Sequence, residues 1–294
     1  IHTGNYNPDV ALQQIRDERP TVVLPAFETI WVPVVNHPDR EEDDFDSVRV
    51  VMVVGVPERL RQFQEQTPHA PILNCFGQTE VCAFLSLSEL DDDPELRFTK
   101  GGFPMPGMEA EVHDPDTGEV LPNGSVGELW YRGPNMFDGY FRDQELTEEV
   151  FDGRGFFKTG DICEIDIDGR VTFVSRLKDM LKVGGENVSA AEVEGYLITH
   201  PAIALAQVVS APDERYVEVP AAFIQLKPDM DATEEEIIEF CKGKIATYRI
   251  PRYVRFVDDW PMSGTKIKKI VLREMIASEL KDKGITQADK MSSS

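Results

Sequence analysis

The stretch that decides the fold is RLKDMLKVGGENVSAAEVE, which occupies residues 176–194. It joins a basic turn and a glycine pair to the start of a helix, because Ser189 followed three residues later by Glu192 is the pattern of a capping box. A basic turn beside glycines suits a phosphate-rich ligand. A solvated turn before an ordinary helix would explain the same residues equally well, since basic side chains are common near loops.

Four further motifs accompany this stretch in a fixed order along the chain. They are NCFGQTE at residues 74–80, GEL at residues 127–129, FKTGD at residues 157–161 and PMSGTKI at residues 261–267. Together with the first stretch they resemble the motifs of the adenylate-forming superfamily, which includes acyl-CoA synthetases, luciferases and the adenylation domains of peptide synthetases. The resemblance covers nearly the whole chain, from about residue 21 to about residue 274.

Composition limits the class of protein. With 294 residues, 41% of them hydrophobic, the chain can bury a sizeable core and is expected to hold more than one domain. The absence of a long apolar stretch and of signal-peptide features predicts a soluble, cytoplasmic protein without a membrane span. The four cysteines have neither metal-ligand spacing nor the density of a disulfide framework, so reduced and mostly buried thiols are expected.

The net charge of −23 is distributed unevenly. Residues 1–175 carry 13 basic and 34 acidic side chains, which argues against nucleic acid or an anionic membrane as a partner. Residues 241–273 carry nine basic side chains and two acidic ones. This local excess predicts short-range attraction of phosphates, with a mixed-charge surface as the alternative.

Hydrophobic patterning predicts two kinds of architecture. Apolar runs at residues 21–24 and 48–54, with a helix-like stretch after them at 58–66, indicate an α/β layer. Short strands and turn signals indicate a β-rich subdomain at residues 101–168. The later part of the chain alternates predicted strands (204–210, 219–226, 253–257) with predicted helices (190–199, 233–243, 270–280), which indicates a compact α+β domain.

The resemblance implies a domain plan that agrees with this patterning. Residues 1–175 would form the distal part of a large AMP-binding domain, 176–178 a hinge, and 179–294 a small, mobile C-terminal domain. The predicted fold class is therefore α/β and α+β: the remainder of a large N-terminal domain, with a parallel-type sheet layer and a β-rich subdomain, followed by a compact α+β domain.

The NCFGQTE motif implies nucleotide contacts. In the family this stretch lines the nucleotide pocket, so Phe76 would flank the adenine, Thr79 would hydrogen-bond a phosphate, and Glu80 would help to hold Mg²⁺, with Gly77 in the same loop. These roles suit the residue types, because an aromatic face stacks on a base and a hard carboxylate binds Mg²⁺. Phe76 stands where the family more often has tyrosine, and a plain strand–turn–helix junction is the alternative.

Three more residues match nucleotide-contacting positions of the family. Asp161 corresponds to the aspartate that accepts hydrogen bonds from the ribose hydroxyls, and Arg176 to an arginine that contacts ribose and phosphate. Phe173 would lie against the adenine. An isolated Thr-Gly-Asp is more often just a turn, and an aromatic residue in a strand usually belongs to the core.

Two lysines match the catalytic positions of the family. Lys266 corresponds to the lysine that bridges the acyl carboxylate and the α-phosphate during adenylation. Lys182 would lie on the face that replaces Lys266 after the small domain rotates about a hinge at Lys178. The motif around Lys266 is imperfect, because Thr265 stands where glycine is usual and the spacing from Pro261 is one residue short.

Gly184 and Gly185 match the positions where the family admits the pantetheine thiol of coenzyme A. The implied reaction joins ATP and a carboxylic acid to give an acyl-adenylate and pyrophosphate, after which the coenzyme A thiol displaces AMP. The resemblance thus implies an AMP-forming acyl-CoA synthetase, an acid–thiol ligase, with ATP, Mg²⁺ and coenzyme A as cofactors or substrates and a small carboxylic acid as partner.

One family motif has no counterpart in the sequence, namely the Ser/Thr/Gly-rich loop ending in Pro-Lys that grips the ATP phosphates. The sequence therefore predicts the C-terminal half or so of such a synthetase, either as a fragment or with its partner half supplied from elsewhere. Two alternatives stay open: an adenylation module that loads a carrier protein, and a non-catalytic fragment that retains the fold. The acid, whether fatty, short-chain or aryl, and the oligomeric state are left open.

Overall fold

The computed structural model describes residues 4, 6–264 and 266–291, and the chain divides into two compact units, Ile1–Val174 and Ser175–Ser294. We refer to them as the first and second units. Among the described residues, none of the helices combines the length and the apolar character that crossing a bilayer requires.

The first unit begins with a parallel sheet flanked by helices. Its elements are α1 (Pro8–Glu18), β1 (Val22–Phe27), α2 (Glu28–Val35), β2 (Val50–Val54), α3 (Pro57–Gln66) and β3 (Ile72–Leu73). The strands lie in the order β1-β2-β3 and are parallel, as the continuous apolar runs predicted. Helix α1 begins where the Asn7 side chain accepts a hydrogen bond from the Val10 amide. Large side chains such as Trp31 and Phe63 form the core of this layer.

Two antiparallel sheets complete the first unit. The smaller sheet has the order β4-β5-β6 and the larger one has the order β10-β9-β8-β7. Tyr131 and Leu129 are fully buried in the core of this part. The elements in chain order are β4 (Cys75–Phe76), a 3-10 helix (Thr79–Val81), β5 (Ser86–Leu87), α4 (Pro94–Thr99), β6 (Phe103–Pro104), β7 (Glu109–His113), β8 (Val126–Arg132), α5 (Gln144–Val150), β9 (Phe157–Ile165) and β10 (Val171–Arg176).

The second unit is a mixed sheet with helices packed on it. The sheet order is β12-β11-β14-β13, and β15 pairs in parallel with β14. Leu272 and Ile276 of the last helix pack with Phe223 in the core. The elements are a 3-10 helix (Leu177–Asp179), β11 (Met180–Val183), β12 (Glu186–Ser189), α6 (Ala190–Leu197), β13 (Ile203–Asp213), β14 (Val217–Leu226), α7 (Glu234–Cys241), a 3-10 helix (Thr247–Arg249), β15 (Tyr253–Phe256), β16 (Met262–Ser263), β17 (Lys266–Ile267) and α8 (Lys269–Asp282).

Five of the nine basic side chains at residues 241–273 form ion pairs in the folded unit, so the count along the sequence overstates the local positive charge, and the attraction of phosphates stays a prediction. Carboxylates that lie outside residues 241–273 pair with these five side chains, and a count restricted to that stretch does not include them. The pairs are Lys242 with Glu239, Arg249 with Glu192, Arg255 with Glu234 and Glu279, Lys269 with Glu194, and Arg273 with Asp179.

The four cysteines, all within the described ranges, are free thiols, as predicted. Cys75, Cys163 and Cys241 are buried, whereas Cys82 is exposed. Burial raises the pKa of Cys75 to about 11 and the pKa of Cys241 to about 12. It also raises the pKa of Cys163 well above its usual value. The three buried thiols are therefore protonated and unreactive at neutral pH.

Candidate active site

The loop after β4 makes a tight reversal of the chain. The Leu85 amide donates a hydrogen bond of 2.9 Å to the Phe76 carbonyl, which closes the loop around the 3-10 helix at Thr79–Val81. A Cβ atom at Gly77 would lie 1.9 Å from the Ala83 carbonyl oxygen, so only glycine fits at this position. We call residues 76–85 the β4 loop.

Two aromatic rings stack beside this loop. The rings of Phe76 and Phe173 have centroids 5.8 Å apart and planes inclined by 21°. Phe76 is 8% exposed, but Phe173 on β10 is 41% exposed, which is unusual for an aromatic residue in a strand that serves only the core. The pair therefore offers solvent an aromatic surface on which a planar base could stack.

Asp161 is a buried carboxylate connected to the β4 loop. It is 1% exposed, and its Oδ2 accepts a hydrogen bond from the Gln78 side-chain amide. The same amide nitrogen donates to the Thr159 carbonyl at 3.2 Å. In addition, the Glu128 carboxylate accepts from the Gly160 amide at 2.9 Å. Three motifs that are separate in sequence are thus brought together in the first unit.

Thr79 and Glu80 lie on the 3-10 helix of the β4 loop. Thr79 is exposed, whereas Glu80 is half-buried and its Oε1 accepts a hydrogen bond of 3.1 Å from the Tyr140 hydroxyl. Burial, and then the hydrogen bond and charge of Glu80, raise the pKa of Tyr140 to about 12, so this hydroxyl is protonated at neutral pH. Sequence reasoning missed Tyr140 and Gln78. Gln78 lies inside a quoted motif and could have been found, but nothing local marks Tyr140.

The single carboxylate of Glu80 would suit a magnesium ion whose other ligands are nucleotide phosphates and water. No group of three or more His, Cys, Asp and Glu side chains that could hold a metal occurs in the part of the chain that the structure describes. Mg²⁺ in nucleotide sites usually takes one or two carboxylates and completes its shell with phosphate oxygens and water. A single carboxylate at the edge of the loop is therefore sufficient.

Arg176 and Lys178 lie at the start of the second unit, in the segment that leads from β10 into β11. Arg176 ends β10 and Lys178 lies in the following 3-10 helix, and both side chains are exposed. Lys178 lines a cavity of about 140 Å³ together with Asp179 and Arg273. The Arg273 guanidinium donates to the Asp179 carboxylate at 3.1 Å, so the residue after Lys178 is fixed to α8.

Lys182, Gly184 and Gly185 lie on the β11–β12 hairpin. Lys182 pairs with Asn187 across the hairpin, and its amide donates to the Glu218 carboxylate at 3.0 Å, while its side chain is exposed. Gly184 and Gly185 form the turn with φ of +59° and +96°, a left-handed conformation that side chains disfavour.

Lys266 lies on another hairpin, which is exposed to solvent and is formed by β16 and β17. It pairs with Ser263 across the hairpin, and the Lys268 amide closes the base by donating to the Pro261 carbonyl at 2.7 Å. The Lys266 side chain is exposed. Thr265, the departure from the family motif, lies outside the described residues.

The structure thus gathers one group of predicted residues and distributes the other. The first group lies around the β4 loop and Asp161, and comprises Phe76, Gly77, Thr79, Glu80, Asp161 and Phe173. The second group lies on the entry segment and on two separate hairpins of the second unit, and comprises Arg176, Lys178, Lys182, Gly184, Gly185 and Lys266.

Two family models match the chain. The first, described as AMP-binding enzyme, matches residues 2–141. The second, described as AMP-binding enzyme C-terminal domain, matches residues 192–266.

Relatives with assigned names match along nearly the whole chain. A medium-chain acyl-CoA ligase of Danio rerio, ACSF2, named as mitochondrial, is 37% identical over 279 residues, which is 94% of the chain and 46% of that relative. ATP-bound MatB from Rhodopseudomonas palustris has a TM-score of 0.83 at 29% identity, over 93% of this chain and 54% of its own. An amide bond synthetase, McbA from Marinactinospora thermotolerans, has a TM-score of 0.81 at 32% identity, over 92% of this chain and 55% of its own. The chain spans about half the length of the curated relatives it matches.

Proposed function

Because the chain belongs to the adenylate-forming AMP-binding enzymes, we propose that the protein is an AMP-forming acyl-CoA synthetase. The observation that carries the proposal is that relatives named acyl-CoA ligases align over more than nine-tenths of the chain at 35–37% identity. The reaction would combine ATP, a carboxylic acid and coenzyme A to give acyl-CoA, AMP and pyrophosphate. The two units would be the distal part of the large domain and the small mobile domain, with the hinge at residues 176–178.

In the proposed first step, the first unit binds the nucleotide. The stacked rings of Phe76 and Phe173 would present a face to the adenine, and the buried Asp161 would accept hydrogen bonds from the ribose hydroxyls. A carboxylate that is held in place by a neighbouring amide accepts such bonds without reorganising, which favours binding.

The phosphates would be held by the 3-10 helix at Thr79–Val81, by Mg²⁺ and by two basic side chains of the second unit. The exposed Thr79 hydroxyl would donate to a phosphate oxygen, and Glu80 would be the protein ligand of Mg²⁺. When bound, Mg²⁺ neutralises part of the phosphate charge. An oxygen of the substrate carboxylate attacks the α-phosphorus and pyrophosphate leaves with the bonding electron pair. The Lys266 ammonium would offset the negative charge at this centre, and Arg176 would contact the ribose and phosphate.

In the proposed second step, the other hairpin of the second unit would serve the thioester reaction. The thiol sulfur of coenzyme A attacks the acyl carbon of the acyl-adenylate and gives up its proton to water, and AMP leaves with the electrons of the broken bond. The turn of Gly184 and Gly185 would let the pantetheine arm pass close to the backbone, with Lys182 beside it. Orientation and charge stabilisation supply the help, and no covalent enzyme intermediate is needed.

A second candidate differs only in the acceptor of the acyl group. The likeness to McbA, named an amide bond synthetase, favours an amine in place of the thiol. The first step and its residues would be unchanged, because activation of the acid does not depend on the acceptor.

The test incubates the protein with MgATP and a panel of fatty, short-chain and aryl acids, with and without coenzyme A, and measures AMP and pyrophosphate. Acid-dependent AMP release that requires coenzyme A would support the synthetase. Pyrophosphate release followed by acyl transfer to an amine, but not to coenzyme A, would support the second candidate. Absence of AMP and pyrophosphate with every acid, in a preparation that also supplies the phosphate-binding loop missing from this sequence, would contradict both. We also propose the cytoplasm as the compartment, which imaging of a fluorescent fusion would test.

A further inference from the structure

A second segment of the first unit holds the β4 loop by several hydrogen bonds. Residues 133–140, which we call the bracing segment, connect β8 to α5. The Phe137 amide donates to the Glu80 carbonyl at 2.8 Å. The Asn135 side-chain amide donates to the Phe84 carbonyl at 2.9 Å and to the Val81 carbonyl at 3.3 Å. The backbone at Glu80 and in the residues that follow it is therefore fixed by one segment that is remote in sequence.

The last residue of the bracing segment reaches the Glu80 side chain itself. The Tyr140 hydroxyl donates to Oε1 at 3.1 Å, while Oε2 accepts no hydrogen bond from any residue in the described ranges. One carboxylate oxygen is thus occupied by a neutral donor and the other is left for a ligand. A phenolic hydroxyl is protonated at neutral pH, so Tyr140 acts as the donor in this contact.

Packing fixes the orientation of Tyr140. Its amide donates to the Thr147 hydroxyl at 2.9 Å. The ring meets Phe137 edge-on with centroids 5.0 Å apart, and Phe137 in turn contacts Phe151 and Phe157 at 5.6 and 5.4 Å. Such an aromatic cluster restricts ring rotation, so the hydroxyl is delivered to one place.

We infer that Tyr140 is the positioning residue that orients Glu80 for a divalent cation bound with the nucleotide. The inference rests on the proposed function of Glu80 and adds a residue that neither the motifs nor the comparisons assign. Hydrogen-bond partners of metal ligands fix the ligand's orientation, and their loss typically weakens metal affinity or activity by about tenfold or more. Tyr140 would therefore act on the cation through Glu80 and would not itself touch the substrate.

The experiment compares ATP binding with and without Mg²⁺ in the wild type, Tyr140→Phe and Glu80→Gln, by calorimetry in the absence of acid. Tyr140→Phe keeps the ring and its packing, so the fold should persist. In the wild type, Mg²⁺ should tighten ATP binding. We expect the Mg²⁺ concentration that gives half of this gain in ATP affinity to rise about tenfold in Tyr140→Phe. Glu80→Gln should abolish the tightening. Binding of AMP without Mg²⁺ should be the same in all three proteins.

Tyr196→Phe is the matched control. It also removes one tyrosine hydroxyl hydrogen bond, to the Phe240 carbonyl at 2.9 Å, but in the second unit and without a contact to Glu80. Its Mg²⁺ dependence should equal that of the wild type. An unchanged Mg²⁺ dependence in Tyr140→Phe, with loss in Glu80→Gln, would overturn the role of Tyr140 and leave the proposed function standing. If Mg²⁺ does not tighten ATP binding even in the wild type, both the role and the nucleotide site fail.

Discussion

The β4 loop of the first unit and the two lysine hairpins of the second unit all carry residues of the family motifs, yet they are built differently. The β4 loop is buried on one side and tied to distant segments by Gln78, Asn135 and Tyr140. The side chains of Lys182 and Lys266 are exposed, and backbone hydrogen bonds across each hairpin define the two turns, although the β11–β12 hairpin buries Leu181, Val183 and Val188. The difference indicates that the proposed nucleotide-binding groups are fixed in place before a ligand arrives. The two lysine side chains, in contrast, are presented to solvent, as suits the proposal that they act one after the other.

The largest expected effect distinguishes the roles proposed for Lys266 and Lys182. Lys266→Ala should lower acyl-adenylate formation by roughly a hundredfold or more, because a cation at the reacting phosphate is lost, while thioester formation from supplied acyl-adenylate persists. Lys182→Ala should have the opposite pattern. Single-turnover assays of each half-reaction would measure both. Lys268→Ala, which removes a neighbouring exposed lysine, is the control. Equal loss of both steps in Lys266→Ala would refute the division of labour.

The next largest effect tests the proposal that the first unit binds the nucleotide. Asp161→Asn should weaken AMP binding by about tenfold to a hundredfold, because hydrogen bonds to a charged acceptor are replaced by weaker ones. Calorimetry with AMP would measure it. Asp168→Asn alters an exposed turn residue and should leave binding unchanged. Wild-type affinity in Asp161→Asn would show that the nucleotide binds elsewhere.

A pair of glycine substitutions sharpens the contrast in packing. Gly77→Ala should destabilise the first unit by about 3 kcal/mol, because the added Cβ would lie 1.9 Å from the Ala83 carbonyl. Gly185→Ala should cost about 1 kcal/mol, because its left-handed backbone has open space around it and only the conformation is disfavoured. Urea unfolding would give both values. Gly153→Ala, in open space without a positive φ, should be nearly neutral. Equal costs at Gly77 and Gly185 would contradict the packing difference.

Much of the fold could be predicted because its signals are local. The expected fold class is confirmed by structural neighbours with TM-scores of 0.83. The runs at 21–24 and 48–54 lie in or overlap β1 and β2, since apolar runs of this length mark buried strands. Ser189 is the N-cap of α6, as predicted, and accepts from the Glu192 amide. The Glu192 carboxylate, however, pairs with Arg249, a partner that no local pattern reveals.

What the sequence did not predict depends on contacts between distant segments. Helix α5 interrupts the region expected to be β-rich; it is capped by Asp143 and buries none of its residues, so it lacks the apolar stripe that marks a helix. Tyr140 lies 60 residues from Glu80, and its neighbours in sequence do not indicate the contact. The assigned site residues themselves remain predictions from resemblance, with geometry that is compatible with their roles.

The smallest expected effect concerns the stability of the second unit. Hydrogen bonding to Arg255 lowers the pKa of Glu279 on α8 from 4.5 to about 2. A depressed carboxylate pKa stabilises the fold above the unfolded value and loses this contribution as pH falls towards the folded value. Glu279→Gln should therefore lower the Tm by a few degrees at pH 7, and the difference from the wild type should vanish as pH falls from 5 towards 2.

Thermal melts across this pH range would measure that difference. Glu274→Gln, on the exposed part of the same helix, is the control and should show no pH-dependent difference. A constant difference for Glu279→Gln at all pH values would mean that packing, and not the ion pair, is responsible.

The distribution of the cysteines has a practical use. Cys82 lies in the β4 loop and is exposed, whereas the three other thiols are buried. A maleimide dye should therefore attach at this one position without any prior cysteine removal. A fluorophore placed there, a few residues from Phe76 and Glu80, would report ligand arrival at the loop directly and in real time. The native chain thus comes with its own site for a spectroscopic sensor.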